Sequence, residues 1–236
     1  MTRGGIIAAG LGSRFVKAGI STPKPLLQVG GRPLIARTLE QFMDAGITHV
    51  NIIFREAICS ECMAYLEREF PMLGFDFICK DTDSSAESFI TLLESMEPGD
   101  TALVTTVDSV YKPGMLARFR EFAEARHEDA LYLGLTSYVE DEKPLYAQVD
   151  MQGRISRLGG PDGNFITSGA YLLPAGMAHG KDRKGYRALR ALLAEMVSSG
   201  CPVYGLDLGK VIDVDRPGDM AAAEAFIANF PGVTDA

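Results

Sequence analysis

Residues 4–27 read GGIIAAGLGSRFVKAGISTPKPLL. A short apolar run leads into a glycine-bearing loop, and this loop carries Arg14, Lys17 and Lys24 although the chain has a formal net charge of −8. A strand followed by a glycine loop and a helix is a layout that binds phosphate, because the backbone N–H groups of the tight turn converge on an anion. The stretch therefore predicts an α/β fold with a phosphate-binding loop after its first strand.

Two common phosphate-loop motifs can be compared with this stretch. The P-loop string G-x-x-x-x-G-K-[ST] does not occur in the chain. The dinucleotide fingerprint G-x-G-x-x-G fits at Gly10 and Gly12, but Phe15 stands in place of its third glycine. Arg14 also lies where a dehydrogenase needs close packing of helix on strand. The spacing therefore disfavours a dehydrogenase.

The chain beyond this loop alternates between apolar runs and helical patterns. Four strand–helix units are predicted in succession, and they imply a parallel sheet with helices on both faces. The third of these helices opens with a capping box from Ser84 to Glu87. Strand-like runs with little helix between them follow, so the sheet is expected to be mixed. The first long helix is predicted to place these residues on one face: Leu34, Ile35, Leu39, Phe42 and Met43.

Composition and charge limit the partners of the chain. Its 236 residues are 47% hydrophobic and 23% charged, which is typical of a soluble globular protein. The net charge of −8 argues against a nucleic-acid or membrane-surface partner, since phosphate polymers need a broad basic face. No run reaches the roughly 18 apolar residues of a membrane span, and the start, MTRGGIIAAG, is too short before its glycines for a signal peptide. We therefore expect a cytoplasmic protein.

Cys59 and Cys62 form a C-x-x-C pattern within a segment that is predicted to be helical. The pattern has no second cysteine pair and no nearby histidine, so a metal or redox role is disfavoured. We expect the cysteines to be ordinary reduced thiols, as in most cytosolic proteins.

The glycine loop and the segments after it resemble the signature of the nucleotidyltransferases that activate sugar phosphates. The matching elements are Gly10, Gly12, Ser13, Arg14, Pro23, Lys24 and the following GGRPLI. The resemblance implies a Rossmann-like three-layer αβα fold with a mixed, mostly parallel sheet. It implies one nucleotidyltransferase domain over residues 1–236, with a nucleotide-binding half at 1–135 and an acceptor-binding and closing half at 136–236. The implied reaction joins a nucleoside triphosphate to a sugar 1-phosphate or similar phosphorylated alcohol and releases pyrophosphate.

The resemblance also implies roles for the residues of the nucleotide half. Arg14 would hold the leaving β/γ end of the triphosphate, because guanidinium binds phosphate in a planar fork. Lys24 would lie against the α-phosphate, so these two residues are the predicted catalytic pair. The nucleotide is expected to contact Ala8, Ala9, Gly10, Leu11, Gly12, Ser13, Ser84 and Ser85.

Carboxylates are needed for a Mg²⁺ ion bound to a triphosphate, and Mg²⁺ is the predicted cofactor. Asp108 falls at the carboxyl end of the fourth predicted strand, where open α/β sheets bind ligands. The second acid of the family comes late in the chain, where this sequence reads IDVDRPGDM. Asp213 and Asp215 alternate with Val214 and point the same way in extended chain, so either one completes the predicted metal site. Asp219 is expected to support the start of the following helix.

The acceptor half departs from the family pattern. Many sugar nucleotidyltransferases have E-K-P after a hairpin strand, whereas this chain has no lysine there and Arg157 is the nearest basic residue. Arg157, Ser168 and Gly169 are therefore the predicted acceptor contacts. The base, the acceptor and the oligomeric state stay open at this point.

Two other functions remain as alternatives. A glycosyltransferase of the related nucleotide-sugar-binding fold would need D-x-D after the fourth strand, and this chain has D-S-V at residues 108–110. A nucleotide-sensing relative without catalysis would fit the altered acceptor half.

Overall fold

A nine-stranded sheet forms the centre of the protein, in a computed structural model that describes residues 1–126, 128–138, 144–182 and 184–230. His127, for which the sequence suggests no catalytic role, lies outside the described residues. The strands are β1 (Thr2–Ala8), β2 (Gln28–Val29), β3 (Arg32–Pro33), β4 (His49–Phe54), β5 (Gly74–Cys79), β6 (Thr101–Thr106), β7 (Ser109–Val110), β8 (Leu131–Thr136), β9 (Tyr146–Val149), β10 (Ile155–Leu158), β11 (Phe165–Pro174), β12 (Val203–Asp207) and β13 (Ile212–Asp213). The helices are α1 (Ser13–Lys17), α2 (Leu34–Asp44), α3 (Glu56–Glu69), α4 (Ser85–Glu94), α5 (Met115–Glu124), α6 (Leu189–Ser198) and α7 (Pro217–Ile227).

The sheet is mixed and mostly parallel, as predicted. β1 lies between β4 and β6 and is parallel to both, β5 continues the parallel edge beside β4, and β12 is parallel to β8. β11 is antiparallel to β6, β8 and β9. Among the described strands of this sheet, only β10 and β11 run against the direction of β1. The carboxyl ends of β1 and β6 therefore meet at one edge, where ligands bind in open α/β sheets.

Helices cover both faces of the sheet and produce the expected three layers. One apolar core packs α2, α3 and α5 against the sheet, and a second packs α4 and α6 against the opposite face. Most of the predicted face of α2 is buried, but Met43 is 39% exposed, so that part of the prediction is wrong. None of the described helices has the length and apolar character needed to cross a bilayer.

A third apolar cluster holds together three segments that are far apart in sequence. Phe15 anchors the glycine loop, Leu27 anchors the segment after Lys24, and Val214 anchors the late acidic segment; all three are buried in this cluster. The two-residue strands β7 and β13 pair beside it, so that the chain after Asp108 is hydrogen-bonded to the late acidic segment. The cluster therefore determines the relative positions of the basic loop and the acids.

The cysteines differ from the expectation of reduced thiols. Cys59 on α3 forms a disulfide with Cys79 at the end of β5, while Cys62 and Cys201 are free. Cys62 points into the core, and burial raises the pKa of its thiol to about 12. The C-x-x-C spacing drew attention to Cys59 and Cys62, which lie on adjacent turns of one helix. The partner of Cys59 is Cys79 instead, which the parallel pairing of β4 with β5 brings close to it.

Candidate active site

The predicted nucleotide residues line one cleft of about 490 Å³ at the carboxyl ends of β1 and β6. The lining includes Ala8, Ala9, Gly10, Leu11, Gly12, Ser13, Arg14, Lys24, Ser84, Ser85, Asp108 and Asp215. Thr82, Asp83 and Thr106 line it as well and were not identified from the sequence. The structure thus brings together the glycine loop, the serine loop (residues 82–85) and two of the predicted acids, Asp108 and Asp215.

The glycine loop owes its shape to its glycines and to one aromatic anchor. Gly12 has φ of +57°, a left-handed conformation that favours glycine, and it caps the short helix α1. Phe15, which breaks the dinucleotide fingerprint, is 1% exposed and fills the apolar cluster under the loop. The loop backbone is therefore held rigidly from below while its upper side stays open to the cleft.

Lys24 lies between two carboxylates. Its Nζ is 2.6 Å from Asp108 Oδ2 and 2.8 Å from Asp215 Oδ1. Burial works against its charge, but the two carboxylates outweigh that effect and raise the pKa of Lys24. Burial likewise opposes the charge of Asp108, and the Lys24 ammonium nevertheless holds the pKa of that carboxyl below its usual range. Arg14 approaches the same group, with Nη1 3.5 Å from Asp215 Oδ2.

The structure distinguishes the late acids from one another. Asp215 shares the Lys24 ammonium with Asp108, whereas the Asp213 carboxylate accepts a hydrogen bond of 2.7 Å from the Ser109 hydroxyl. Desolvation and the nearby Asp108 carboxylate raise the pKa of Asp213. Asp219 accepts hydrogen bonds from the backbone N–H groups of Asp215 and Arg216, which confirms its expected role at the start of α7.

The acids can be tested as ligands for Mg²⁺. Within the described ranges, no group of three or more His, Cys, Asp or Glu side chains is arranged to hold a metal ion. Asp108 and Asp215 nevertheless already converge on one cationic group, the ammonium of Lys24. One or two carboxylates are what Mg²⁺ usually takes from a protein when substrate phosphates and water supply its other ligands. This pair therefore fits Mg²⁺ that arrives with a triphosphate.

The serine loop before α4 is held by its own hydroxyl groups. Ser84 caps the helix by accepting from Glu87 N–H and also donates to the Tyr186 carbonyl, while Ser85 Oγ accepts from Leu189 N–H. Glu87 receives Lys80 Nζ at 2.9 Å, and this bond lowers the pKa of its carboxyl. The Ser84 hydroxyl is therefore engaged within the protein both as acceptor and as donor, whereas Ser85 Oγ only accepts.

A second cavity, of about 350 Å³, adjoins the nucleotide cleft, and Arg14 and Asp215 line both. Its further charged lining comprises Arg190, Arg216, Asp213 and Asp219. Ser168, a predicted acceptor contact, also lines this cavity. The arrangement provides a space for a small charged molecule next to the cleft of the glycine loop.

Comparison with known proteins agrees with this geometry. A family model described as the MobA-like NTP transferase domain matches residues 4–169, which is more than half of the chain. The chain belongs to the MobA-like NTP transferase family.

Individual relatives of this MobA-like domain share only part of their length with it. One segment of 93 residues is 30% identical to a 2-aminoethylphosphonate cytidylyltransferase of Lancefieldella rimae and covers 38% of this chain and 37% of that protein. Another, of 125 residues, is 41% identical to a CMP-5'-(3-aminopropyl)phosphonate synthase of Streptomyces rubellomurinus and covers 51% of this chain and 19% of that protein. The matches thus span less than half the length of these curated relatives.

The fold of the MobA-like domain is shared with a solved structure over its whole length. The inositol-1-phosphate CTP transferase from T. maritima superposes with a TM-score of 0.81 at 20% identity, over 100% of this chain and 98% of that chain. This likeness extends the family fold beyond residue 169, to the late acidic segment and α7.

Two predicted acceptor residues of the MobA-like domain do not line either cavity. Arg157 lies on β10 and pairs with Asp162. Gly169 has φ of +78°, and a Cβ there would lie 2.5 Å from Ser109 Oγ, so its glycine is explained by packing within the protein. Arg190, on α6, and Arg216, just before α7, line the second cavity, but in the sequence neither can be distinguished from a solvent-facing arginine.

Proposed function

We propose that the chain is a Mg²⁺-dependent nucleotidyltransferase that joins the α-phosphate of a nucleoside triphosphate to a phosphorus-bearing acceptor and releases pyrophosphate. The observation that carries this proposal is the convergence of Arg14, Lys24, Asp108 and Asp215 on the cleft formed by the glycine loop. In this reaction charge builds up on phosphate oxygens along one line, so positioned cations provide most of the catalysis.

Each side chain has a separate part in the proposed mechanism. The ammonium of Lys24 exchanges its carboxylate partners for the α-phosphate and stabilises the charge that develops there. Arg14, at the mouth of the same cleft, binds the departing pyrophosphate end. Asp108 and Asp215 would hold Mg²⁺, which when bound would neutralise the phosphate charge further and polarise the α-phosphorus. Attack by an anionic acceptor oxygen needs no proton transfer, which suits a cleft without a placed histidine among the described lining residues.

We propose CTP as the nucleotide and a small phosphonate or phosphate as the acceptor. The relatives named above support cytidylyl transfer, because one is a cytidylyltransferase, one a CMP-phosphonate synthase and one a CTP transferase. Arg14, Arg190 and Arg216 support an anionic acceptor, because guanidinium groups match the tetrahedral oxygens of phosphate and phosphonate.

Pyrophosphate release tests the proposal directly. Purified protein is incubated with Mg²⁺, each nucleoside triphosphate, and 2-aminoethylphosphonate, inositol 1-phosphate or glucose 1-phosphate, and the product is identified by mass spectrometry. We expect turnover with CTP, and Asp108→Asn and Arg14→Ala are each expected to lower kcat at least about 100-fold. Asp129→Asn, an exposed residue outside both cavities, serves as the control that retains activity.

The alternative functions give different results in the same assay. Unchanged turnover in both active-site variants would overturn the assignment of the site. Release of a nucleoside diphosphate from an NDP-sugar, without pyrophosphate, would indicate a glycosyltransferase. Saturable binding of CTP without turnover of any acceptor would indicate a nucleotide-sensing protein.

A further inference from the structure

The Cys59–Cys79 disulfide joins α3 to the chain that leads into the serine loop. Cys79 is the last residue of β5, and residues 82–85, which line the cleft of the glycine loop, follow it after Lys80 and Asp81. Among the described strands, β5 pairs with β4 alone, so it forms an edge of the sheet. Cys59 lies in the first turn of α3. The disulfide is therefore a covalent link close to one wall of the cleft.

The other contacts of this part of the chain with α3 and β4 are hydrogen bonds. The Asp81 carboxylate accepts from Arg55 Nη2 and from the Glu56 N–H, each at 3.2 Å. The Arg55 and Asp81 side chains are 30% and 53% exposed, and ion pairs that water reaches stabilise a protein little. The Lys80 N–H also donates to the Phe54 carbonyl at 2.9 Å. The covalent bond is thus the strongest link between α3 and the start of the serine loop.

The serine loop itself is bonded to α4. Lys80 Nζ lies 2.9 Å from Glu87 Oε1, and the hydroxyl groups of Thr82 and Ser88 lie 2.6 Å apart. These contacts keep the loop and the start of α4 together, but they do not attach the loop to α3. Opening of the disulfide would therefore release the loop from α3 while its bonds to α4 persist, which is a local rather than a global change.

The two sulfur atoms of the disulfide differ in access from solvent. Cys79 is an exposed residue, whereas Cys59 is 3% exposed. A thiolate from solution would therefore attack Cys79 Sγ and displace the thiolate of Cys59, which the first turn of a helix favours. Cys62 does not compete in this exchange, because burial raises the pKa of its thiol to about 12 and keeps it protonated.

We propose that the Cys59–Cys79 disulfide is a redox switch of the nucleotide site, so that the oxidised protein binds a nucleoside triphosphate and reduction by a dithiol weakens that binding. This inference rests on the proposed function and names a regulation of the same site. The affinity falls on reduction because the freed loop spends part of its time away from the cleft, and only the remaining fraction of the protein is competent to bind.

The reduction is an ordinary thiol–disulfide exchange. One thiolate of the dithiol attacks Cys79 Sγ, and the electron pair of the S–S bond leaves with Cys59 Sγ, which takes up a proton. The second thiolate of the dithiol attacks the dithiol sulfur that is now bonded to Cys79. The Cys79 thiolate leaves and takes up a proton, and the reductant departs as a cyclic disulfide, so the two cysteines gain the two electrons that the dithiol loses.

Calorimetric titration with CTP and Mg²⁺ tests the switch on oxidised protein and on protein reduced with dithiothreitol under nitrogen. We expect the reduced wild type to bind at least about fivefold more weakly, in proportion to the competent fraction. Cys79→Ser should bind as weakly as the reduced wild type and should not respond to the dithiol. Cys201→Ser removes a free cysteine outside the cleft and should respond as the wild type does.

Hydrogen exchange in the same samples gives a measurement that does not depend on nucleotide. Amides of residues 80–88 are expected to exchange at least about threefold faster after reduction, because the loop opens more often. Alkylation followed by mass spectrometry identifies the bonded cysteines in each sample. Thermal melting shows whether each sample is folded, and reduction of the wild type needs no substitution.

The outcomes separate this inference from the proposed function. Equal nucleotide affinity and equal hydrogen exchange in the two forms of the wild type would overturn the switch, and so would tighter binding or global unfolding on reduction. Cysteines 59 and 79 that stay free after incubation with oxidised dithiothreitol would overturn it as well. If neither form binds any nucleoside triphosphate, the proposed function fails, and hydrogen exchange alone decides whether the disulfide controls the loop.

Discussion

Lys24 lies between the carboxylates of Asp108 and Asp215, the pair that we propose as the Mg²⁺ ligands. The resemblance to the nucleotidyltransferases implied this meeting of residues, whereas the shared edge of the parallel strands accounts only for the position of Asp108 after β6. The sequence did not predict which late acid takes part, since Asp213 and Asp215 point the same way in extended chain. Val214 is buried in the third apolar cluster, which fixes the position of the late acidic segment and thereby brings Asp215, not Asp213, to Lys24.

Replacing Lys24 by methionine should separate its two roles. We expect Lys24→Met to lower kcat at least about 100-fold, because the α-phosphate loses its cation. The same change should tighten binding of Mn²⁺ in the absence of nucleotide, because an ammonium no longer competes for the two carboxylates. Electron paramagnetic resonance of added Mn²⁺ measures this, and Lys17→Met, outside both cavities, is the control. Weaker Mn²⁺ binding in Lys24→Met would contradict the competition.

Arg190 provides a prediction for the acceptor side. Arg190→Gln should raise KM for 2-aminoethylphosphonate at least about tenfold and leave KM for CTP nearly unchanged, since loss of one charged hydrogen bond weakens anion binding by that order. Arg157→Gln is the matched control, because Arg157 was the sequence-based candidate and lines neither cavity. Steady-state kinetics with each substrate varied in turn measures both constants, and a larger effect in Arg157→Gln would reverse the assignment.

Among the secondary-structure elements, the long helices and strands could be predicted from the sequence, whereas the two-residue strands could not. The capping box of Ser84 and the apolar faces of α2 and α4 are local patterns, so they can be recognised without knowledge of the fold. β7 and β13 have two residues each, too few for any periodicity, yet their pairing brings the acids together. Arg190 could not be identified because its place at the cavity depends on how α6 packs on distant strands.

Gly169 lies in an irregularity of β11, between the residues that pair with β8. Gly169→Ala should destabilise the protein by about 2–4 kcal/mol, because the new Cβ would be strained at φ of +78° and would overlap the Ser109 and Thr106 hydroxyls. Gly200→Ala has the same kind of positive φ with open space around it, so it should cost only about 1 kcal/mol. Urea unfolding of both variants compares them, and equal losses would show that packing at Gly169 is unimportant.

At the scale of the whole molecule, the N-terminus is fixed to the far end of the sheet. Met1 N and Arg3 Nε lie 3.1 Å and 2.8 Å from the Asp100 carboxylate, and although burial opposes the charge, these cations lower the pKa of Asp100. The mixed, mostly parallel character of the sheet was predictable from the alternating strands and helices and the strand-like runs after them. The Cys59–Cys79 disulfide was not, because it joins residues 20 positions apart through strand pairing.

The lowered pKa of Asp100 gives a signed dependence of stability on pH. The unfolded chain takes up this proton at the higher pH, so the stabilisation is complete above about pH 4 and is lost as pH falls through the lower folded pKa. Asp100→Asn should therefore lower the free energy of unfolding by about 1–2 kcal/mol at pH 7 and by less at pH 3. Urea unfolding at both pH values measures this, with Asp129→Asn as the control. A difference between wild type and Asp100→Asn that grows on acidification would contradict the sign.

The bond from Lys24 to Asp215 spans 191 positions, and the Val214 N–H donates to the carbonyl of Asp108, a second contact between segments far apart in sequence. During synthesis the basic loop leaves the ribosome long before the second acid does, and contacts of such high sequence separation form late in folding. On the proposed function, a nascent chain therefore has a glycine loop that still lacks the second acid of its nucleotide site. Nucleotide affinity would then report that the last helix has docked, which makes a fluorescent CTP analogue a reporter for the final step of refolding.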